Sequence, residues 1–266
     1  MTTARLTLHQ WEPTALPQEN LDVIRSVVLA AQKDGSSLAL FPEYSSALEV
    51  GALTAQTTAV TLEGEWVSAL RELTAETGVT VVVGALVLTP GAPRPRNTML
   101  AVSGGNIVAS AEKLHLYDAF GAQESAVISA GEIGPCELFD WAGMKVGMMA
   151  CYDLRFPEVA RRLVDAGAHA LVVPAQWMAG PNKDLHWETL LRARAIENQM
   201  WVMGVNQPGP HAIGLSQVID PTGQSVLVLG EDVETASCEL DASRVAHTRE
   251  ENPMGSARRF GVTPKG

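Results

Sequence analysis

Only three cysteines, Cys136, Cys151 and Cys238, are spread over 266 residues. An odd and widely spaced set suits neither a disulfide framework nor a zinc cluster. It implies a reducing, cytoplasmic compartment. Basic charge is also scarce: 19 Lys and Arg stand against 30 Asp and Glu, a formal net charge of −11. With no basic surplus to neutralise phosphates, a nucleic-acid partner is not expected. No apolar run reaches membrane-spanning length. The first eleven residues lack a basic stretch followed by an apolar one, so no signal peptide is expected. The Gly-x-Ser-x-Gly elbow, His-Glu-x-x-His, the P-loop and the Rossmann fingerprint are all missing.

What is present describes a folded protein. Hydrophobic residues make up 46 % and charged residues 18 %, which suits a large buried core. No stretch rich in Pro, Gly or Ser divides the chain. Residues 1–266 are therefore expected to form one domain, with a polar, irregular tail from about residue 250. Strands are predicted at 5–10, 38–41 and 79–88. A helix opens at Gln18 and stops at Gly35, and a second runs over 62–77 to Gly78. Hairpins follow at 98–102 with 107–111 and at 216–219 with 225–229. Further strands are predicted at 136–141, 144–150, 168–173, 201–206 and 236–240, with helices at 157–166 and 185–199. The order of elements repeats in the two halves. Two open sheets, each covered by helices on its outer face, would pack as a four-layer α-β-β-α sandwich of the α/β class.

The stretch 146–158 concentrates the chemistry. An apolar strand delivers Cys151 to a turn, after which Pro157 and Glu158 suit the start of a helix. Free backbone N–H groups at such a turn lower a cysteine pKa and stabilise an oxyanion. The competing reading is a buried structural cysteine. Glu43 and Lys113 end strands in the same manner, as residues gathered at one rim of a sheet would. Taken singly, Glu43 reads as a solvated loop carboxylate and Lys113 as a surface charge. Together the three are coherent: a thiol nucleophile, a carboxylate to take its proton, and an ammonium for the thiolate and oxyanion. The N–H of Tyr152 is a second candidate oxyanion donor. The loop 117–134, long for a compact domain, carries Gln123-Glu124-Ser125.

The motifs Leu40-Phe41-Pro42-Glu43, Glu112-Lys113-Leu114-His115-Leu116 and Cys151-Tyr152-Asp153-Leu154-Arg155-Phe156-Pro157-Glu158 resemble, in order and spacing, those of the nitrilase or carbon–nitrogen hydrolase superfamily. Pro174-Ala175-Gln176-Trp177 and Asp220-Pro221-Thr222-Gly223 match as well, so the resemblance covers nearly the whole chain. It implies the same sandwich and a Glu43-Lys113-Cys151 triad. It also implies a second glutamate, at the position of Glu124, no metal or organic cofactor, and a homodimer. Tyr152-Asp153 after the cysteine is similar to the amidase and carbamoylase branches. With the Gln-Glu-Ser loop it is most similar to the omega-amidase and deaminated-glutathione amidase group. The implied substrate is a small carboxylate bearing a primary amide, with ureido hydrolysis of N-carbamoyl compounds as the alternative. A non-catalytic binding member would not need the intact triad. Tyr44, Gln176 and Trp177 are candidates for the substrate pocket. Arg155 either supplies a cation for a distal carboxylate or pairs with Asp153 or Glu158. Trp177 either forms the pocket wall or packs in the core.

Overall fold

Apolar runs too short for helices form the centres of two sheets, and amphipathic stretches cover them. The computed structural model describes residues 3–48 and 59–265. The first half contains β1 (Thr3–Gln10), α1 (Pro17–Lys33), β2 (Leu38–Leu40), α2 (Glu65–Thr77), β3 (Thr80–Val87), β4 (Arg96–Ser103) and β5 (Asn106–Glu112). The second contains β6 (Phe139–Trp141), β7 (Met144–Met148), α3 (Pro157–Asp165), β8 (Ala170–Pro174), α4 (Lys183–Asn198), β9 (Trp201–Val205), β10 (Gln217–Ile219) and β11 (Ser225–Val228). Then come β12 (Glu234–Asp241), α5 (Ser243–Glu251) and α6 (Met254–Ala257).

The strand orders are β12-β1-β2-β3-β4-β5 and β11-β10-β9-β8-β7-β6. β1, β2 and β3 run parallel, as do β7, β8 and β9, with antiparallel strands toward the edges. Parallel strands covered on both faces read as continuous apolar runs, which is the pattern of Leu38-Ala39-Leu40. Leu38 and Leu40 face the other sheet in a core with Met148, Val172 and Met203. Ala39 faces outward, beneath Ile24, Val28, Leu70 and Leu73 of α1 and α2. On the far side, Leu163, Trp187 and Leu191 of α3 and α4 cover Leu171, Val173 and Val202. The layers are therefore α-β-β-α.

Three local expectations are corrected. The strand expected over 136–141 pairs only from Phe139, opposite Val146. The last strand leaves its own half and closes the first sheet, pairing antiparallel with β1 from Thr3↔Asp241 to Gln10↔Glu234. The polar stretch after β12 forms α5, and the tail expected to be irregular from about residue 250 contains the single turn α6. Asp241 Oδ1 starts α5 by accepting from the Ser243 N–H at 2.9 Å and its hydroxyl at 2.6 Å. The buried Val245 then anchors that helix to the core.

Candidate active site

The strands of a parallel sheet lead their C-terminal ends to one rim, where sites form. β2 stops at Leu40, and Glu43 follows, only 1 % exposed. This turn lies hard against β3. A Cβ on Gly84 would stand 2.7 Å from the Glu43 Cα, so only glycine allows the approach. Lys113, also buried, comes directly after β5. β7 ends at Met148, and Cys151 begins a short 3₁₀ helix, Cys151–Arg155, with a left-handed φ of 41°. A non-glycine residue held there stores backbone strain, a feature that clusters at functional sites. Tyr152 lies in the first turn of that helix, where backbone N–H groups lack partners within the helix.

These residues meet. Lys113 Nζ donates to Glu43 Oε1 at 2.9 Å and to Glu124 Oε1 at 2.8 Å. Glu43 Oε1 also accepts from Asn97 Nδ2 at 2.6 Å, and its Oε2 from the Gln176 N–H at 2.8 Å. Gln207 fixes the Glu43 carbonyl at 2.8 Å. The Tyr44 hydroxyl donates to Glu124 Oε1 at 2.6 Å, and the Tyr117 N–H to Oε2 at 2.6 Å. The Cys151 thiol points toward the Gln176 carbonyl at 3.6 Å. All nine residues singled out in the sequence, Tyr44, Tyr152, Arg155, Gln176 and Trp177 among them, line one cavity of about 400 Å³. That volume suits a small molecule.

Electrostatics sets the resting state. Burial pushes the Cys151 thiol well above its usual range, and Glu43 and Glu124 push it further against the opposing pull of Lys113. The lowered cysteine pKa expected from the turn is thus overturned. Desolvation and two nearby carboxylates outweigh one ammonium and the local N–H groups. Burial opposes the charge on Lys113, but Glu43 and Glu124 outweigh it and hold the ammonium well above the usual lysine range. Glu124 is also buried, yet Lys113 and its hydrogen bonds keep it below the usual glutamate range. At neutral pH the site holds a thiol, an ammonium and an ionised Glu124.

Arg155 pairs with neither Asp153 nor Glu158 among the described residues. Its guanidinium lies over the Trp177 ring at 4.6 Å and near the Tyr152 ring at 5.9 Å. Asp153 instead ties two turns together. It accepts from the N–H groups of Leu114 at 3.3 Å, His115 at 2.9 Å and Ala150 at 3.4 Å, and bonds His115 Nδ1 at 2.7 Å. His115 stacks on Phe156 with centroids 3.6 Å apart, so it braces the loop beside Lys113. Trp177 is both wall and core: it lines the cavity and packs on Trp187 at 5.3 Å. Sequence reasoning missed Asn97, Tyr117 and Lys183. Lys183 lines the same cavity and is buried at the start of α4. A lysine after Pro181-Asn182 reads as a solvated loop charge, so only the cation's burial reveals it.

The carbon–nitrogen hydrolase family model matches residues 5–250. A deaminated glutathione amidase of Escherichia coli O157:H7 is 39 % identical over 254 residues, covering 94 % of this chain and 95 % of that protein. A CN-hydrolase superfamily protein from Xanthomonas campestris, with an arsenic adduct in its active site, superposes with a TM-score of 0.87 at 26 % identity, covering 99 % and 100 % of the two chains. An amidase from Nesterenkonia sp. AN1, solved as a mutant carrying the acetamide moiety of fluoroacetamide on its active-site cysteine, gives 0.78 at 26 % identity over 95 % and 96 %.

Proposed function

The chain belongs to the carbon–nitrogen hydrolase family, and from that premise we propose that it hydrolyses the primary amide of a small carboxylate through a thioester on Cys151. The observation that carries this reading is the buried Glu43–Lys113–Glu124 cluster, on the wall of the same cavity as the Cys151 thiol. Because the thiol rests protonated, attack needs a base at hand. Glu43 takes the proton as the sulfur bonds to the amide carbon. The oxyanion that develops is held by the Lys113 ammonium and the Tyr152 N–H. Glu43 returns the proton to the departing nitrogen, the C–N bond breaks, and ammonia leaves. A water molecule then gives a proton to Glu43 and adds to the thioester. Collapse of that adduct releases the carboxylic acid and restores the thiol. Glu124 positions Lys113 and the amide, while Tyr44, Gln176 and Trp177 shape the pocket. Arg155 offers its positive charge to a distal carboxylate.

The covalent adduct on the cysteine of the Nesterenkonia amidase supports the acyl-enzyme step. We also expect a cytoplasmic homo-oligomer built from one domain, from the family resemblance and the cysteine usage. Among the described residues, no helix is long and apolar enough to cross a membrane. The test is ammonia release from a panel of omega-amides and N-carbamoyl amino acids, with Cys151→Ala alongside. Cys151-dependent ammonia from an omega-amide is expected. Release from carbamoyl compounds alone would replace the substrate class, and Cys151-independent release would remove the thioester.

A further inference from the structure

The cavity holds more positive charge than the proposed chemistry uses. Lys113 is flanked by Glu43 and Glu124, so that trio carries one net negative charge. Arg155 and Lys183 add two positive charges to the same lining. Among the described residues, neither has a carboxylate within ion-pair distance. The five charges sum to plus one, which one carboxylate on the substrate would neutralise.

Lys183 is held in place for such a ligand. Gly180 (φ 154°) and Asn182 (φ 58°) turn the chain just before it, and α4 starts at Lys183 itself. A helix N-terminus is already positive, so stability alone favours an acid at that position. The lysine is nonetheless buried. Its Nζ donates to the Tyr117 hydroxyl at 2.9 Å and lies 5.0 Å from the Tyr117 ring, 4.6 Å from Phe120 and 5.9 Å from Trp177. Aromatic faces fix a cation without neutralising it. The ammonium has three donors and uses one on Tyr117. Arg155 lies over the same Trp177 indole at 4.6 Å, so the two cations share one wall of the cavity.

We propose that Lys183 is a specificity-determining residue that binds the terminal carboxylate of the acyl chain, with Arg155 beside it, so that the site selects monoanionic amides. This rests on the amidase reading and deepens it. Neutral amides fit the same volume but leave the buried Lys183 and the half-buried Arg155 without a counter-ion, which is costly. The selection is therefore against uncharged chains as well as for charged ones.

The test compares succinamate with butyramide, which have the same chain length and differ in the carboxylate. The readout is the ratio of their kcat/KM values in the wild type, Lys183→Gln and Lys183→Arg. Gln can still bond Tyr117, and Arg keeps the charge. The ratio should fall about 10- to 100-fold in Lys183→Gln, the usual weight of a hydrogen bond to a charged group. Lys183→Arg should retain most of it. An unchanged ratio in Lys183→Gln overturns the assignment. Should the wild type hydrolyse neither amide, the amidase reading fails and the subsite is still tested. Succinate binding to Cys151→Ala, measured by calorimetry, should weaken at least about 10-fold when Lys183→Gln is added. Equal affinities overturn the proposal.

Discussion

Glu43→Gln separates two actions of one carboxylate. In the proposed mechanism Glu43 is the base that accepts the thiol proton during attack. As a buried anion, it keeps that thiol protonated at rest. The amide preserves the shape and removes both. Its cost to the fold follows from the hydrogen bonds. Oε1 accepts from Asn97 and Lys113, and Oε2 from the Gln176 N–H. If the amide oxygen faces Lys113, the amide NH₂ meets the Gln176 N–H, donor against donor. One buried donor left unsatisfied costs about 1–3 kcal/mol, or roughly 5 °C in melting temperature for a chain of this size. Lys113 remains paired with Glu124 at 2.8 Å, so the fold survives. Loss of a general base lowers turnover by about 10²- to 10⁴-fold. Alkylation should move the other way. Without the Glu43 charge, and with Lys113 still present, the thiol is more acidic. Iodoacetamide should then label Cys151 faster at neutral pH and with a profile shifted to lower pH. Ammonia release and intact-mass labelling, run in parallel across pH, decide the matter. If hydrolysis and labelling fall together, the sign of the charge argument is wrong. If hydrolysis stays within tenfold of wild type, Glu43 is not the base.

Two further outcomes follow from the packing around this cluster. Gly84→Ala places a methyl 2.7 Å from the Glu43 Cα and 3.1 Å from the Tyr44 nitrogen. It should cost about 1–3 kcal/mol of stability and lower kcat as Glu43 shifts; a normal kcat with a normal melt would show that the turn yields freely. His9 is buried with its Nε2 unpartnered, and burial lowers its pKa from 6.5 to about 4. Its neutral form is the one that folds, so its contribution is complete above the unfolded value of 6.5. It is lost as pH falls toward 4, up to about 3 kcal/mol. Urea melts at pH 7.5 and 4.5 should show that loss in the wild type and a smaller one in His9→Gln; identical losses would assign the acid sensitivity to other groups.

The parts of the site legible in the sequence were those marked by the end of an apolar run. Leu38-Ala39-Leu40 and Met144–Met148 read as buried strands because both faces are covered. The first polar residues beyond them, Glu43 and Cys151, stand out for that reason. Lys113 ends β5 in the same way, and Glu124 came from its motif. Properties set by depth were not legible. The raised thiol pKa depends on how completely the Cys151 turn is buried beside two carboxylates, and a turn alone suggests the reverse. The partner of Arg155 could not be guessed either, because Trp177 arrives from another strand end. Lys183 was hidden since a lone lysine is usually solvated. The pairing of β12 with β1 joins positions more than 220 residues apart, which no local pattern encodes.

The site is a product of the packing of one sheet on the other. Glu43 and Lys113 extend from strands of the first sheet, and Cys151 and Gln176 from strands of the second. The Glu43–Gln176 hydrogen bond crosses between them at 2.8 Å. A buried Glu–Lys–Glu cluster adds little net stability, because desolvation offsets most of its attraction; only leaving a member with no counter-charge at all costs about 3–5 kcal/mol. The cluster therefore cannot hold the sheets together, and their alignment has to come from apolar contacts. Leu40, Met148 and Val172 belong to one inter-sheet core, and each lies three or four residues before Glu43, Cys151 and Gln176 respectively. So short a tether transmits the register of that core directly to the cavity lining. The placement of Glu43, Lys113 and Cys151 is thus inherited from aliphatic packing one strand-length below it.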